Sequence, residues 1–336
     1  MGSSPRPVLS PEFVAVFRRH ADAGGAMPFA RFMDLALYDS VVGYYRRTRR
    51  RVGYGPGTDF FTAATSAPLF GELVAAACIS LLAPADPAGF TFVEIGAEPG
   101  AGILRGVAHP FAGTRVIRIG EPIELSGPCV VFSNELFDAQ PFRRFVFRGT
   151  RWRELGVALA NGALVETELD APSPPLLPTR APDGYIIDAP LAAAELACSL
   201  AAQPWSGLFL ACDYGKSWRE IAEACPAGTA RAYFRHQQSN DLLAHPGEQD
   251  LTCHICWDWL VDSLRDHSFA APQLESQEAF FVHHAADFLA RTVAAEAAGF
   301  SRRKQSLLQL LHPAHLGSKF QVLHALRRSG RRPCLP

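Results

Sequence analysis

The sequence of 336 residues predicts an α/β protein with parallel strands in its sheet. Short apolar runs typical of buried strands alternate with segments of helical periodicity. Glycines follow the first of these runs, and polar residues follow the others. Hydrophobic residues make up 48% of the chain and include 23 Phe, so a large core can form.

The charge balance limits the classes of partner. The chain has 32 basic and 33 acidic residues, which argues against broad electrostatic binding to nucleic acid or anionic membranes. Its longest apolar stretch, residues 73–82, is shorter than the roughly 20 residues of a membrane span. The N-terminus has no signal or transit pattern, and the eight cysteines form no framework. We therefore expect a soluble, cytoplasmic, reduced protein with no nucleic-acid partner.

The N-terminal segment is predicted to be helical. Apolar residues recur at helical spacing over residues 12–45, and Pro28 marks a helix start. Glycines at 43 and between 53 and 57 interrupt this pattern. The arginine-rich run 46–51 lies between them, as either a solvated charge cluster or a contact for an acidic partner or phosphate.

The central segment contains the predicted sheet. Residues 68–82 and 192–202 are predicted to form helices, while residues 143–168 alternate like an antiparallel hairpin with its turn at Asn161-Gly162. A proline-rich loop covers residues 170–184. The predicted buried strands are Phe90–Ile95, Arg115–Ile119, Cys129–Ser133 and Leu208–Cys212.

The residues after the first two strands could bind a ligand, because open α/β sheets bind ligands beyond the carboxyl ends of their strands. The glycine loop, residues 96–102, would let its backbone approach a ligand, and the N-terminus of a following helix would favour negative charge. Glu121 lies at a distance from this loop that suits an acid for ribose hydroxyls.

Polar side chains also follow the third and fourth strands. Asn134, Glu135 and Asp138 come after the third strand, and Asp213 follows the fourth. Asp138 and Asp213 taken singly could equally be helix N-caps. Asn134 and Glu135 are adjacent and cannot both cap one helix, so we expect these strand ends to outline a site.

The pair Cys253 and Cys256 has the spacing of half a zinc site. No second pair of ligands follows at matching spacing, so we predict buried thiols here and no metal site in the chain.

Taken together, these segments resemble the MidA-like family of S-adenosylmethionine-dependent methyltransferases. That family includes a mitochondrial complex I assembly factor that methylates an arginine of a complex I subunit. The matching segments, in order along the chain, are Pro28–Met33, Leu37–Asp39, Gly43–Tyr45, Thr58–Thr62, Pro68–Glu72, Val93–Gly96, Ser133–Ala139, Asp213–Gly215, Arg231–Tyr233, Arg235–Gln237 and Pro246–Thr252.

The resemblance implies a class I methyltransferase fold, a Rossmann-like α/β sheet with an additional N-terminal helical segment and a substrate-covering region. It divides the chain into a helical and cofactor-covering segment (1–84), the core (85–215) and a substrate-covering segment with the end of the core (216–336). It also implies S-adenosyl-L-methionine as cofactor and an arginine of a partner protein as substrate. The partner would be a respiratory complex subunit, and the resemblance leaves a homodimer open.

The resemblance also implies roles for individual residues. Glu94, Gly96 and Gly100 would contact the amino acid portion of the cofactor, and Asp59 and Thr62 would lie beside the cofactor. Catalytic roles would fall to Asn134, Glu135 and Asp138, where a carboxylate matches the planar guanidinium. The residues implied on the substrate side are Asp213, His236, Asp250 and Thr252.

Three departures from the family pattern support an alternative function. Glu98 replaces the middle glycine of the loop and Pro99 follows it, Thr65 replaces an acid of the N-terminal motif, and only residues 101–114 lie between Gly100 and Arg115. The family's ribose-binding acid falls in this shortened segment, and Glu121 is its candidate replacement. The alternative function is therefore a methyltransferase-fold protein without cofactor chemistry, acting as a binding or assembly factor.

Overall fold

The computed structural model describes residues 8–47, 51–53, 58–59, 63–100, 102–297, 299 and 301–328. The helices in these residues are α1 Pro11–His20, α2 Phe29–Tyr38, α3 Leu69–Leu82, α4 Leu191–Ala202, α5 Trp218–Ala224, α6 Trp257–Asp266, α7 Gln277–His284, α8 Ala286–Ala295 and α9 Arg302–Leu311. None of the helices formed by the described residues is long and apolar enough to cross a membrane.

The strands alternate with these helices along the chain. They are β1 Ala26–Pro28, β2 Thr91–Ile95, β3 Gly113–Ile117, β4 Gly127–Asn134, β5 Arg143–Arg148, β6 Arg151–Ala160, β7 Ala163–Leu169, β8 Ile186–Ala189, β9 Trp205–Asp213, β10 Gly215–Lys216, β11 Arg231–Phe234, β12 Gln237–Ser239, β13 Asp250–Thr252, β14 Ile255–Cys256, β15 Ala270–Ser276 and β16 Gln321–Arg327.

The chain folds into two compact units, each assembled from three stretches of sequence. Unit 1 contains Met1–Phe61, Phe137–Glu195 and Gly215–Asp258, and unit 2 contains Thr62–Leu136, Leu196–Tyr214 and Trp259–Pro336.

Unit 2 contains the predicted parallel sheet. Its strand order is β15-β16-β9-β4-β2-β3, in which β3, β2, β4 and β9 are parallel and β16 runs antiparallel to both neighbours. Val130, Val131 and Phe132 on β4 are at most 1% exposed, as expected for a parallel strand that is covered on both faces. The predicted α/β fold is confirmed.

Helix α3 packs on this sheet and is apolar almost all round. Its buried residues share a core with Phe92, Phe132, Leu210 and Val322 of the sheet. This packing explains why residues 68–82 are mostly apolar: neighbouring elements cover most of the helix surface and leave only a small part, around Ile79 and Ser80, exposed.

Unit 1 is built on an antiparallel sheet. Its order is β1-β6-β5-β8, and β7 pairs with β6. Asn161 (φ +50°) and Gly162 (φ +77°) make the tight turn between β6 and β7, which is the turn predicted from their sequence. The predicted hairpin is one part of this meander, because β5 also pairs with β6.

Candidate active site

The carboxyl ends of four parallel strands meet at one edge of the unit 2 sheet. Ile95 of β2 lies opposite Ile117 of β3 and Ser133 of β4, and Asn134 lies opposite Cys212 of β9. Neighbouring strands are about 4.8 Å apart. The residues that follow these strand ends are therefore close neighbours in space, as the sequence predicted.

Glu94 is held inside this edge and braces the glycine loop. Glu94 is only 7% exposed, and its Oε2 accepts a hydrogen bond of 2.8 Å from the backbone N–H of Ile103. Burial raises the pKa of the Glu94 carboxyl, while the Ile103 hydrogen bond and the Arg118 charge oppose that rise. The carboxylate thus fixes the backbone beyond the loop.

The glycines of the loop adopt conformations that other residues rarely adopt. Gly96 has φ +86° and Gly100 has φ +74°. A Cβ on Gly96 would lie 2.9 Å from Cδ1 of Leu136, whereas a Cβ on Gly100 would meet nothing within 4 Å. The backbone at Gly100 is therefore open to a ligand on that side.

The prediction of a helix after the glycine loop is wrong. Residues 103–106 form a turn and residues 107–112 are irregular, and Gly106 takes a positive φ of +74°, which ends any helical path there. The segment packs against α3 instead. Gly71 of α3 lies so close to Ile103 that a Cβ on Gly71 would be 1.9 Å from the Ile103 carbonyl oxygen. Ile103 is thus fixed from both sides, by Glu94 and by α3.

Glu121 follows the strand beside the glycine-loop strand. The strand predicted at 115–119 forms as β3, the edge strand next to β2. Glu121 is exposed, and its Oε2 accepts a hydrogen bond of 2.8 Å from the Arg118 N–H. An acid after this strand has the placement expected of one that binds ribose hydroxyls.

Asn134 and Glu135 lie together at the end of β4. The Asn134 Nδ2 donates a hydrogen bond of 3.1 Å to the Glu135 Oε1. The Asn134 Oδ1 is buried, and no described residue donates a hydrogen bond to it. Glu135 has φ +52° while its N–H is held by the Cys212 carbonyl at 2.9 Å. A residue with a strained backbone, such as Glu135, next to a buried oxygen without a hydrogen-bond donor, such as that of Asn134, is typical of a functional site.

Asp213 lies at the end of β9 and is fully buried. Its Oδ1 accepts a hydrogen bond of 2.9 Å from the Tyr214 N–H. The next helix, α5, is capped by Ser217 through a capping box with Glu220. Asp213 is therefore not the N-cap of that helix.

In unit 1, Asp59 organises a turn that contains His236. Its Oδ2 accepts from the Tyr44 hydroxyl at 2.7 Å, and its Oδ1 accepts from the Arg235 N–H at 3.0 Å. The N–H of His236 donates to the Asp59 carbonyl at 2.8 Å, and the His236 ring lies 2.9 Å from the Thr58 hydroxyl. The structure thus brings two predicted site residues together. Thr62, predicted as their neighbour, lies outside the described residues.

A second group in unit 1 joins buried tyrosines to carboxylates. The Tyr45 hydroxyl donates to the Asp250 Oδ1 at 2.9 Å, and the Tyr38 ring stacks on Tyr45 at 5.5 Å. Burial raises the pKa of both hydroxyls, and the charges of Asp250 and Asp138 raise it further. The carbonyl of Asp138 accepts the Cys253 N–H at 3.0 Å. Asp138 and Asp250 thus share one neighbourhood.

The sequence patterns predicted no role for these tyrosines. Tyr38, Tyr44 and Tyr45 stand in the matching segments Leu37–Asp39 and Gly43–Tyr45, which is the signal that could have identified them.

The arginine-rich run is not a solvated cluster throughout. Arg51 is only 2% exposed, and its guanidinium lies 5.6 Å from the Tyr44 ring centroid and 5.3 Å from that of Tyr45. Arg47 is exposed and pairs with Glu248 at 3.1 Å, as expected for a residue of a solvated charge cluster. Residues 48–50 lie outside the described residues.

The remaining predicted residues of this region are buried. Thr252 on β13 is 4% exposed, and its hydroxyl has no hydrogen-bond partner among the described residues. Cys253 and Cys256 are fully buried. Within the described residues, the group of side chains placed to hold a metal ion lies elsewhere, around Glu275.

Comparison with known proteins relates this geometry to one family. Residues 117–273 match the model of a family described as "Putative S-adenosyl-L-methionine-dependent methyltransferase". The fold is similar to that of a "likely methyl transferase" from Burkholderia thailandensis bound to S-adenosyl-homocysteine, with a TM-score of 0.83, 24% identity, and 96% of this chain and 95% of that chain covered.

The structure of an uncharacterized protein, also from Burkholderia thailandensis, gives a TM-score of 0.77 at 24% identity, with 96% of this chain and 95% of that chain covered. No curated protein matches significantly. Residues 117–273 thus match the family model in agreement with the resemblance predicted from the sequence, and the chain shares the fold of these two structures.

Proposed function

We propose that the protein is an S-adenosyl-L-methionine-dependent methyltransferase that modifies an arginine of a partner protein. The observation that supports this most strongly is the carboxyl edge of the unit 2 sheet. There, the backbone at Gly100 is open on one side, Asn134 and Glu135 lie at the end of β4, and Glu121 follows β3. The buried Oδ1 of Asn134 accepts no hydrogen bond from any described residue, as expected of a group that faces a ligand.

The residues of this edge fit the cofactor. Gly96 and Gly100 would lie against its amino acid portion, where Gly100 leaves the backbone open, and Glu121 would accept hydrogen bonds from its ribose. The cofactor supplies an electrophilic methyl group when bound, so the protein's task is to align donor and acceptor. Asp59 stays a proposed cofactor contact, although its two carboxylate oxygens already accept hydrogen bonds from the chain.

The arginine acceptor rests on the family resemblance and on the chemistry of Glu135. A carboxylate pairs with a guanidinium through two parallel hydrogen bonds, which fixes the plane of the acceptor nitrogen. Asn134 and Asp138 would complete the catalytic group. Asp213, His236, Asp250 and Thr252 are proposed on the substrate side. By the same resemblance, a respiratory complex subunit is the class of partner we propose.

Calorimetric titration tests the cofactor directly. S-adenosyl-L-methionine and S-adenosyl-homocysteine are each titrated into the full chain, and thermal unfolding is followed in parallel. A ligand at 100 times its dissociation constant should stabilise the fold by about 2.7 kcal/mol. Asn134→Ala should weaken binding, whereas Asn161→Asp, in a surface turn of unit 1, should not. Absence of binding at millimolar ligand would contradict the proposal.

The acceptor is tested by incubating the chain with a cell extract and isotope-labelled S-adenosyl-L-methionine. Labelled methylarginine identified by mass spectrometry is the expected product, and Glu135→Ala should abolish it while cofactor binding persists. Label on another residue type would contradict the arginine proposal and leave methyl transfer standing.

A binding or assembly factor without cofactor chemistry is the second candidate. Two features favour it: turns replace the helix after the glycine loop, and Glu98 with Pro99 occupies the loop itself. A carboxylate at that point would repel the carboxylate of the cofactor. This function predicts no cofactor binding together with capture of a partner protein, and methylation lost in Glu135→Ala would refute it.

A further inference from the structure

Three histidines converge on one carboxylate in unit 2. Glu275 Oε1 lies 2.8 Å from His284 Nε2 and 3.0 Å from His324 Nε2, and its Oε2 contacts His283 Nδ1. One ligand atom each from Glu275, His283 and His284 lies within 4.8 Å of the other two. No residue of this cluster belongs to the proposed methyltransferase site.

Three adjacent elements position these side chains. Glu275 lies near the end of β15, which leads into α7, and α7 ends with His283 and His284. His324 comes from β16, where it pairs with Gln273 of β15. Because this register is fixed by the central sheet, the cluster does not depend on a loop conformation.

The surroundings suit a bound cation. The Phe280 ring packs against His284 at 5.1 Å and against His324 at 5.4 Å, which closes the inner side of the cluster. The outer side is open, since the His283 side chain is 60% exposed while those of His284 and Glu275 are 22% and 18% exposed. An ion could therefore enter from solvent and be partly enclosed.

We propose that Glu275, His283 and His284 form a binding site for a divalent transition-metal ion of the Zn²⁺ type. Two imidazoles and a carboxylate are ligands that Zn²⁺ prefers, at about 2.0–2.2 Å, and they leave a fourth position for water. His324 then holds the ligating carboxylate from the buried side, as outer hydrogen bonds do in metal sites. The ion would tie α7 to the sheet and stabilise unit 2.

The alternative is a hydrogen-bonded cluster that binds no ion. It uses the same contacts, but it predicts no gain in stability when a metal is added. The two readings therefore differ in the response of the whole chain to Zn²⁺, and that response does not involve methyltransferase activity.

The experiment uses the full chain without a histidine tag, stripped with a chelator and dialysed. Zinc sulfate is titrated calorimetrically and thermal unfolding is recorded with and without it. We expect one ion per chain and a higher melting temperature, reversed by chelator. His283→Asn should weaken the affinity at least tenfold, because it removes a ligand, and its exposed position makes the fold insensitive to the change.

His315→Asn is the matched control. His312 and His315 form an exposed histidine pair with ring centroids 5.4 Å apart, and no carboxylate of the described residues forms an ion pair with either ring. Its loss should leave both the affinity and the melting temperature with Zn²⁺ unchanged. A Co²⁺-loaded sample should show the strong visible absorption of a tetrahedral site, and His284→Asn should remove it. Lack of stoichiometric binding, or equal affinity in His283→Asn and the native chain, would overturn the proposal.

Discussion

Lowering the pH should destabilise the protein through His254. Burial and the nearby charges of Lys216 and Arg231 together lower the pKa of its imidazole from 6.5 to about 4, and the charges of Asp188 and Glu220 oppose this shift only in part. The folded state therefore resists protonation of His254, whereas the unfolded chain accepts the proton near pH 6.5.

The magnitude follows from the difference between these two pKa values. Above pH 6.5 the imidazole is neutral in both states and the effect vanishes. As pH falls below 6.5, the unfolded state alone gains a proton, so stability is lost until pH 4 is reached. At pH 5 the pH lies about 1.5 units below the pKa of the unfolded state. Protonation of the unfolded chain then lowers the free energy of unfolding by about 2 kcal/mol.

Urea unfolding measures this loss when followed at pH 7 and pH 5 for the native chain and for His254→Gln. Other acids titrate in both proteins, so the difference between their pH dependences isolates His254. We expect the native chain to lose about 2 kcal/mol more than the variant over this interval. His267→Gln is the control and should behave as the native chain does. Equal pH dependences in the native chain and His254→Gln would refute the reasoning.

Two substitutions test other parts of the fold. Gly71→Ala should lower the stability of unit 2 by about 3 kcal/mol, because its Cβ would overlap the backbone beyond the glycine loop, while Gly89→Ala, which meets nothing within 4 Å, should be silent in the same thermal unfolding measurement. Asp188→Ala should cost about 3–5 kcal/mol, since it leaves the buried Arg144 guanidinium and two backbone N–H groups without their carboxylate, and denaturant unfolding measures the loss. Glu166→Gln removes a half-exposed partner of the same arginine and should cost less than about 1 kcal/mol. A large loss in Gly89→Ala, or equal losses at Asp188 and Glu166, would contradict the packing and burial arguments respectively.

The sheet of unit 2 could be predicted because its strands are buried on both faces. Such strands are continuous apolar runs, and β2, β4 and β9 begin and end within three residues of the predicted positions. The turn between β6 and β7 could be predicted for a local reason, the positive φ that Asn and Gly tolerate. In both cases the information lies within a few consecutive residues.

The helix after the glycine loop was expected because strands, a glycine loop and helices alternate along the chain, and the apolar residues of this segment also lie at helical spacing. Ile103, Leu104, Val107 and Phe111 are all buried, at spacings that would place them on one face of a helix. Gly106 and Pro110 interrupt that path, and tertiary contacts with α3 then bury the same side chains from a chain of turns.

Features that join distant residues left no signal in the sequence. Arg51 stands in a run of arginines and is buried because Tyr44 and Tyr45 cover it. The cluster around Glu275 depends on the pairing of β15 with β16, which places His324 beside a residue 49 positions earlier. A residue in a charge run or an isolated histidine can be exposed or buried, and only the tertiary contacts of the folded chain determine which.

The loss of the helix after the glycine loop does not by itself disable the loop. A helix satisfies most of its own amides, so a chain of turns needs outside partners for them. Glu94 supplies one at the Ile103 N–H, the Ile117 carbonyl accepts the Gly96 N–H at 2.9 Å, and Arg105 donates to the Gly100 carbonyl at 2.5 Å. The loop is therefore braced at its start, at its end and beyond it. A loop fixed in this way can present its backbone to a ligand even though no helix dipole points at that ligand. For this reason we propose an active enzyme despite the shortened segment.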